Sequence, residues 1–251
     1  MQADLYRLTR TKSVYIVLLL FLAVFIFGTL TGTVGTIGVN NENINDATSG
    51  AVWDFVSAMQ YFAVTVCILI YCFIIYFLTI FSTEFSNRTY KNIFMAGTSR
   101  SIYIFSKLLM LFTMIFSTTA LFYFINATVC YLYYGNPATL PNDFWSSNLQ
   151  FIIVLSLSIM VYYTVASFLQ ILFNSTVAAV IFIVLAPLVV QILQVIQGWD
   201  WVKYFDYLSL TQSFGLGALR GTELLPYIYI NSLIVIIAIG LSILLLKRKE
   251  F

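Results

Sequence analysis

The chain has 251 residues, of which 61% are hydrophobic and only 9% are charged, and its net charge is +2. Soluble domains carry about 25% charged residues, so this chain could not cover itself with a hydrated surface. The sequence contains no histidine, which excludes histidine-based acid–base catalysis and histidine-ligated metal sites. Composition therefore predicts an integral membrane protein.

Residues 1–13 form a basic segment ahead of the first apolar run. Asp4 is its single acid, and its basic residues are Arg7, Arg10 and Lys12. Leu5 and Leu8 stand at helical spacing, which favours a short helix lying on the inner membrane surface. A solvated basic terminus that only fixes orientation is the alternative.

Six apolar runs follow, each close to the roughly 20 residues that cross a bilayer core. We place these spans at about 14–34, 55–81, 108–129, 149–173, 177–196 and 227–246. The first is long enough to remain as a membrane helix rather than a cleaved signal. The sequence therefore predicts an all-α integral membrane protein, with residues 1–251 forming a single transmembrane domain.

Small residues in the first span are candidates for close helix packing. Gly28 and Gly32 have the small-xxx-small spacing that lets two helices approach each other. We favour packing within the subunit over a contact between two subunits.

The distribution of charge predicts the orientation. With six spans both termini lie on one side, and that side holds ten of the twelve Lys and Arg residues: Arg7, Arg10, Lys12, Arg88, Lys91, Arg100, Lys107, Lys247, Arg248 and Lys249. Seven of the ten acids fall on the other side: Glu42, Asp46, Asp54, Asp143, Asp200, Asp206 and Glu223. Because basic loops stay in the cytoplasm, both termini are expected to be cytoplasmic.

The longest cytoplasmic stretch is the segment 82–107, between the second and third spans. Glu84 and Arg88 are four residues apart with the acid first, a favourable pair on a helix, and Lys91 extends that face. Gly97 interrupts the pattern before the next span. We expect a short amphipathic helix, a turn and a return into the bilayer. The apolar anchors on this segment are Phe85 and Phe94.

The outer segment 197–226 connects the last two spans. Its aromatic residues include Trp199, Trp201, Tyr204, Phe205 and Tyr207. Such a composition predicts a position in the membrane interface rather than in solvent. The segment is a candidate for closing the outer end of a transport path.

The spans lack the groups that most membrane chemistry requires. No Asp, Glu, Lys or Arg stands in the interior of any predicted span, whereas ion-coupled transporters carry ionisable groups there. No G-x-x-x-x-G-K-[ST] phosphate loop occurs, so the chain is not expected to hydrolyse ATP by itself. What remains is a passive conduit, or a conduit driven by another protein.

Four polar side chains within the spans are candidates to line a path: Ser156, Ser158, Gln191 and Gln194. The alternative is that they form hydrogen bonds between neighbouring helices, as such residues commonly do. An uncharged, aromatic-rich interior favours an amphipathic or lipid-like cargo over a small ion.

The sequence within the segment 82–107 resembles the cytoplasmic loop of ABC-2 type permeases. That loop reads E-[FY]-x-N-R-T-x-K-N…G-x-S-R…S-K, and it follows the second of six spans. The matching residues here are Glu84-Phe85, Asn87-Arg88-Thr89, Lys91-Asn92, Gly97-x-Ser99-Arg100 and Ser106-Lys107. Within the family the chain is most similar to the permeases of lantibiotic immunity, bacitracin resistance and phenol-soluble-modulin export.

The resemblance implies a mechanism in which this chain is not itself an enzyme. Two copies of a cytoplasmic ABC ATPase bind ATP and Mg²⁺ and dock on two permease subunits, identical or different, while this chain binds no cofactor and no nucleic acid. A short coupling helix in the segment 82–107 fits a groove on each ATPase. The residues implied in coupling are Glu84, Phe85, Arg88, Thr89, Lys91, Phe94 and Arg100.

The expected function is export of a hydrophobic or amphipathic substrate, such as a membrane-active peptide or peptide antibiotic, across a bacterial cytoplasmic membrane. Two alternatives come from other classes: a non-transporting membrane sensor or immunity protein, and a passive channel. Co-purification of an ATP-hydrolysing subunit would separate the driven exporter from both.

Overall fold

The structure is a computed structural model that describes residues 2–32, 53–86, 89, 95, 97, 99–135, 140, 143–199 and 201–248. Within these ranges every regular element is helical. Three residues predicted to act in coupling, Arg88, Lys91 and Phe94, lie outside the described residues, as does most of the first outer loop.

Six long helices in the described part of the chain are apolar enough to cross a membrane. They are α2 (Lys12–Thr31), α3 (Phe55–Phe85), α4 (Arg100–Tyr134), α5 (Phe144–Phe173), α6 (Thr176–Gln197) and α8 (Leu225–Arg248). Two shorter helices accompany them, α1 (Gln2–Arg10) ahead of α2 and α7 (Tyr207–Gly215) between α6 and α8. The predicted six-span, all-α fold is confirmed.

The helices begin and end at caps rather than at the edges of the apolar runs. The Asp54 carboxylate accepts hydrogen bonds from the Ser57 hydroxyl and backbone N–H at the start of α3, and these bonds hold the pKa of Asp54 below its ordinary value. The Ser99 hydroxyl accepts from the Ile102 N–H and starts α4. The segment 82–107 is therefore helical at both ends, and the helices α3 and α4 continue past the predicted spans 55–81 and 108–129, because hydropathy locates the apolar run and not the cap.

Helices α3 and α5 form the centre of the bundle. In their most apolar stretches 67% and 72% of the residues are buried, against 17% in α2, 22% in α6 and 17% in the last span. The outward faces of α2, α6 and α8 carry large apolar side chains such as Phe27, Ile196 and Ile236. Such faces suit contact with lipid or with another membrane subunit.

The outer segment 197–226 contains a helix that packs against the central helices of the bundle. Its helix α7 packs against the first half of α3 at Gly215, where an added Cβ would lie 2.2 Å from Val64 Cγ2 and 2.8 Å from the Gln60 carbonyl oxygen. One residue earlier, Phe214 stacks on Phe151 of α5 with ring centroids 3.9 Å apart. The absent side chain of Gly215 therefore lets α7 approach the core of the bundle, while the interfacial position of the segment stays a prediction.

Candidate coupling site

A buried cluster of charged residues joins three helices at the end of the bundle that carries the N-terminus. Glu84 near the end of α3 accepts hydrogen bonds from Lys107 Nζ at 2.7 Å, from Arg7 Nη1 at 2.8 Å and from Tyr103 Oη at 2.7 Å. Lys107 of α4 also donates to the Asp4 carboxylate of α1. We call these five residues the ion cluster.

The ion cluster combines deep burial with balanced charge. Glu84, Lys107 and Asp4 are only 4%, 5% and 5% exposed. Among its described members, two carboxylates face two basic groups, so their formal charges balance. Removing one member of a buried pair typically costs about 3–5 kcal/mol, because its partner keeps a desolvated charge. Arg7 is nearly half exposed, so its own contribution is smaller.

The ion cluster fastens α1 across the facing ends of α3 and α4. These are the two helices between which the residues 87–99 run. Because Glu84 and Lys107 are bound both to each other and to α1, a displacement of one helix end displaces the other two. The arrangement can therefore carry a force applied between α3 and α4 into both helices at once.

Sequence reasoning did not find the ion cluster. Lys107 is 23 residues from Glu84 and 103 from Asp4, so no local spacing connects them. The available signal was the single acid Asp4 in the basic N-terminal segment, together with Lys107 immediately before the third predicted span. The Glu84 carboxylate is occupied by contacts within the chain, and its role in coupling stays a prediction.

The other described residues predicted in coupling lie around the same end. Phe85 is half-buried and stacks on Phe81, with ring centroids 5.1 Å apart. Thr89 is exposed, and its N–H donates to the Glu84 carbonyl. Arg100 donates to the Leu246 carbonyl at 2.7 Å, so the start of α4 is also tied to the end of α8. Among these residues, Thr89 has the most open side chain.

The second span, α3, is interrupted along its length. It contains a 3₁₀ turn at Val66–Ile68 and a π-helical turn at Leu78–Ser82. Tyr207 of α7 donates to the Val66 carbonyl at 2.9 Å, and Tyr163 of α5 donates to the Ile70 carbonyl at 2.6 Å. A membrane helix can change its winding only where such groups keep a partner. Helix α3 thus links the ion cluster to α7 through a stretch of variable winding.

Replacing Tyr207 by phenylalanine is expected to weaken this link with little loss of fold. The change removes one of two hydrogen bonds to the Val66 carbonyl, which still accepts from the Leu69 N–H, and the net loss of one such bond costs about 0.5–1.5 kcal/mol, while ring packing is preserved. Thermal unfolding of the purified chain, followed by fluorescence in detergent, measures the effect. Tyr229→Phe is the matched control, because Tyr229 is 72% exposed. Equal unfolding temperatures for the two variants would contradict the expectation.

The four predicted path residues fall into two groups. Ser156 donates to the Ile152 carbonyl of its own helix, and Ser158 accepts from Asn231 Nδ2 at 2.7 Å, which joins α5 to α8. Ser158 therefore makes the bond between neighbouring helices that was the alternative to lining a path, whereas Ser156 bonds within its own helix. Gln191 is buried, and Gln194 lines a cavity of about 480 Å³ between α6, the outer segment and α8. For all four residues, path lining stays a prediction.

The predicted packing glycines lie near the other end of α2. Gly32 ends this helix in a left-handed conformation with φ +67°, and its N–H donates to the Gly28 carbonyl. An added Cβ would lie 2.8 Å from Trp53 Cε2. Gly32 therefore serves as a helix cap that contacts Trp53 of its own chain, and the packing role of Gly28 and Gly32 stays a prediction.

The architecture defines a class: an all-helical membrane protein with six spans, whose second and third spans emerge into a basic segment held at both ends. A family model described as ABC-2 family transporter protein matches residues 1–190, which is well over half of the chain. The chain belongs to this family. It is the transmembrane permease component of an ABC transporter, and the family implies association with an ABC ATPase. Among curated proteins, none matches the chain significantly.

The family match confirms the resemblance drawn from the segment 82–107. The matched range contains α1 through α5 and most of α6, so it includes every residue of the ion cluster. The narrower branch, with permeases of peptide immunity and export, stays a prediction.

Proposed function

We propose that this chain is the membrane subunit of an ATP-driven exporter in a bacterial cytoplasmic membrane. A separate ATPase docks on the segment 82–107, between the ends of α3 and α4. The observation that carries the proposal is the ion cluster, because it makes α1, α3 and α4 respond together to a partner pressing on that segment. A segment held only by solvent-exposed pairs would transmit far less force.

Helix α3 supplies the route to the other end of the bundle. ATPase closure moves the end of α3 near Glu84, and the π turn and 3₁₀ turn absorb part of that motion as a change in winding. The remainder reaches α7 through the contacts of Gly215 and Tyr207. Movement of α7 then opens or closes the outer end of the path.

Two copies of the chain, or one copy and a related permease, form the complete path, with two ATPase subunits. The weakly buried helices α2, α6 and α8 leave enough apolar surface for such a contact and for lipid. Closed symmetric assemblies are the common solution for transporters built from half-size subunits.

The substrate is hydrophobic or amphipathic, with membrane-active peptides and peptide antibiotics as the favoured class. An apolar groove of about 520 Å³ between α5 and α6 supports this assignment. The side chains along it include Val161, Phe182, Leu185 and Val189, and none of the described residues that line it is Asp, Glu, Lys or Arg. A charged solute would lose its hydration there without compensation.

Inverted membrane vesicles provide the test. The chain is expressed with the ATPase that co-purifies with it, and uptake of a fluorescent amphipathic peptide without net charge is followed with ATP, with ADP and with a non-hydrolysable ATP analogue. An exporter accumulates the peptide in inverted vesicles only during ATP hydrolysis. Equal flux under all three conditions would indicate a passive channel, and the lack of an associated ATPase would indicate a sensor.

A further inference from the structure

A pocket of about 430 Å³ lies beside the ion cluster, between α1 and the end of α3. It is separate from the apolar groove between α5 and α6. The residues that line it are Tyr6, Arg7, Arg10, Thr11, Thr79, Thr83, Glu84 and Thr89. Nothing in the coupling mechanism requires an open pocket at this place, or two guanidinium groups in its wall.

The charges around the pocket leave a positive excess. The carboxylates of Asp4 and Glu84 are balanced by Arg7 and Lys107 within the ion cluster. Arg10 lies outside that balance. Its guanidinium carbon is 5.0 Å from the centre of the Tyr6 ring, a cation–π contact that holds the group at the pocket wall. Among the residues that the structure describes, the pocket therefore presents the Arg10 guanidinium without a carboxylate partner and the Arg7 guanidinium shared with Glu84.

The surface next to the pocket is apolar. Leu5 and Tyr6 on α1 are 47% and 58% exposed, and Ile16 and Leu19 near the start of α2 are 64% and 65% exposed. The chain thus places a cationic pocket where an amphipathic helix meets the first membrane-crossing helix. A ligand that fits both features has an anionic head and a hydrocarbon body.

We infer that this pocket binds the phosphate headgroup of an anionic phospholipid from the leaflet in which α1 lies. Guanidinium groups bind phosphate oxygens in a fork geometry, and basic segments at the membrane surface attract anionic lipids. The acyl chains then lie along the exposed apolar face of α2. Bound lipid would hold α1, and through the ion cluster the ends of α3 and α4, at a defined depth.

The inference goes beyond the proposed function and does not depend on it, because lipid binding requires neither an ATPase nor a transported substrate. A soluble phosphate compound would satisfy Arg10 but would leave the neighbouring apolar surface uncovered. The lipid source is therefore favoured over free phosphate.

The test measures the thermal unfolding of the delipidated full chain in detergent during titration with phosphatidylglycerol, phosphatidylcholine or inorganic phosphate. We expect saturable stabilisation by phosphatidylglycerol alone. Arg10→Gln should weaken the apparent affinity about tenfold, as expected for loss of one charge-assisted contact. Arg10→Lys keeps the charge, so its apparent affinity for phosphatidylglycerol should lie between those of the wild type and Arg10→Gln. Lys12→Gln is the matched control, since it removes the same charge from an exposed side chain that does not line the pocket.

Three outcomes would overturn the inference. Equal stabilisation by the two lipids would show that no anionic headgroup is recognised. Equal losses of apparent affinity for phosphatidylglycerol in Arg10→Gln and Lys12→Gln would show that diffuse surface charge, and not the pocket, attracts the lipid. Stabilisation by inorganic phosphate to the same extent would assign the pocket to a soluble anion. A native-like unfolding transition of each variant without lipid verifies that the comparison is made on folded protein.

Discussion

Replacing Lys107 by methionine is expected to lower the free energy of unfolding by about 3–5 kcal/mol, which corresponds to roughly 10 °C in unfolding temperature for a chain of this size. The substitution keeps an unbranched side chain of similar length but removes the ammonium group. It removes the lysine from the Asp4 carboxylate, while Glu84 keeps Arg7 and Tyr103 among its described partners. Both carboxylates remain buried, so the free-energy cost of the unbalanced charge exceeds the cost of losing two hydrogen bonds.

Two further variants separate this effect from simple loss of a lysine. Lys12→Met removes an exposed lysine at the start of α2, and we expect an unfolding temperature close to that of the wild type. Adding Asp4→Asn to Lys107→Met should recover part of the loss, because the remaining Glu84 carboxylate keeps its pair with Arg7. Equal stability of the Lys107→Met and Lys12→Met variants in detergent would contradict the ion cluster as a structural link.

Replacing Gly215 by alanine is expected to destabilise the contact between α7 and α3 by about 1–3 kcal/mol, the usual cost of overpacking. The new Cβ would lie 2.2 Å from Val64 Cγ2 and 2.8 Å from the Gln60 carbonyl oxygen, and the second of these is backbone. Helix α7 must therefore move away from α3. In the exporter this displacement should reduce transport more than it reduces ATP hydrolysis, because it acts at the far end of the route.

Two further variants accompany Gly215→Ala, one to restore part of its stability and one as a control. Val64→Ala removes the closer clash but not the backbone contact, so the double variant should regain stability only in part. Gly240→Ala introduces the same side chain into α8, where no atom lies within 4 Å of the added Cβ. Vesicle uptake and ATP hydrolysis are measured on the same preparations. Parallel loss of both activities in Gly215→Ala would argue that α7 is not the end of the coupling route.

The number and type of the spans could be predicted from the sequence because each run of about 20 apolar residues is a local signal. The position of α7 could not, because it depends on Gly215 meeting α3, more than 100 residues earlier in the chain. The same holds for the ion cluster, whose contacts join Asp4, Glu84 and Lys107 across long separations. Hydropathy records which residues avoid water, and it does not record which buried charges meet.

The segment 82–107 shows both the strength and the limit of sequence pattern. Its residues identified the family, which the match over residues 1–190 confirms. The same pattern predicts a helical pair of Glu84 with Arg88, which lies outside the described residues, and the structure adds buried contacts of the Glu84 carboxylate with Lys107, Arg7 and Tyr103. A charged residue next to a long apolar run can pair with a neighbour on its own helix or enter a buried cluster, and only the tertiary contacts distinguish the two.

The central claim is that a partner ATPase acts on the segment between α3 and α4, and that the ion cluster passes its motion to the spans. The most direct measurement is ATP hydrolysis together with peptide transport by the chain and its co-purifying ATPase, reconstituted in vesicles. The account predicts that Arg88→Ala with Lys91→Ala weakens association of the ATPase. It also predicts that Asp4→Asn retains association but lowers the number of peptides moved per ATP. Unchanged transport per ATP in Asp4→Asn, or no associated ATPase at all, would contradict it.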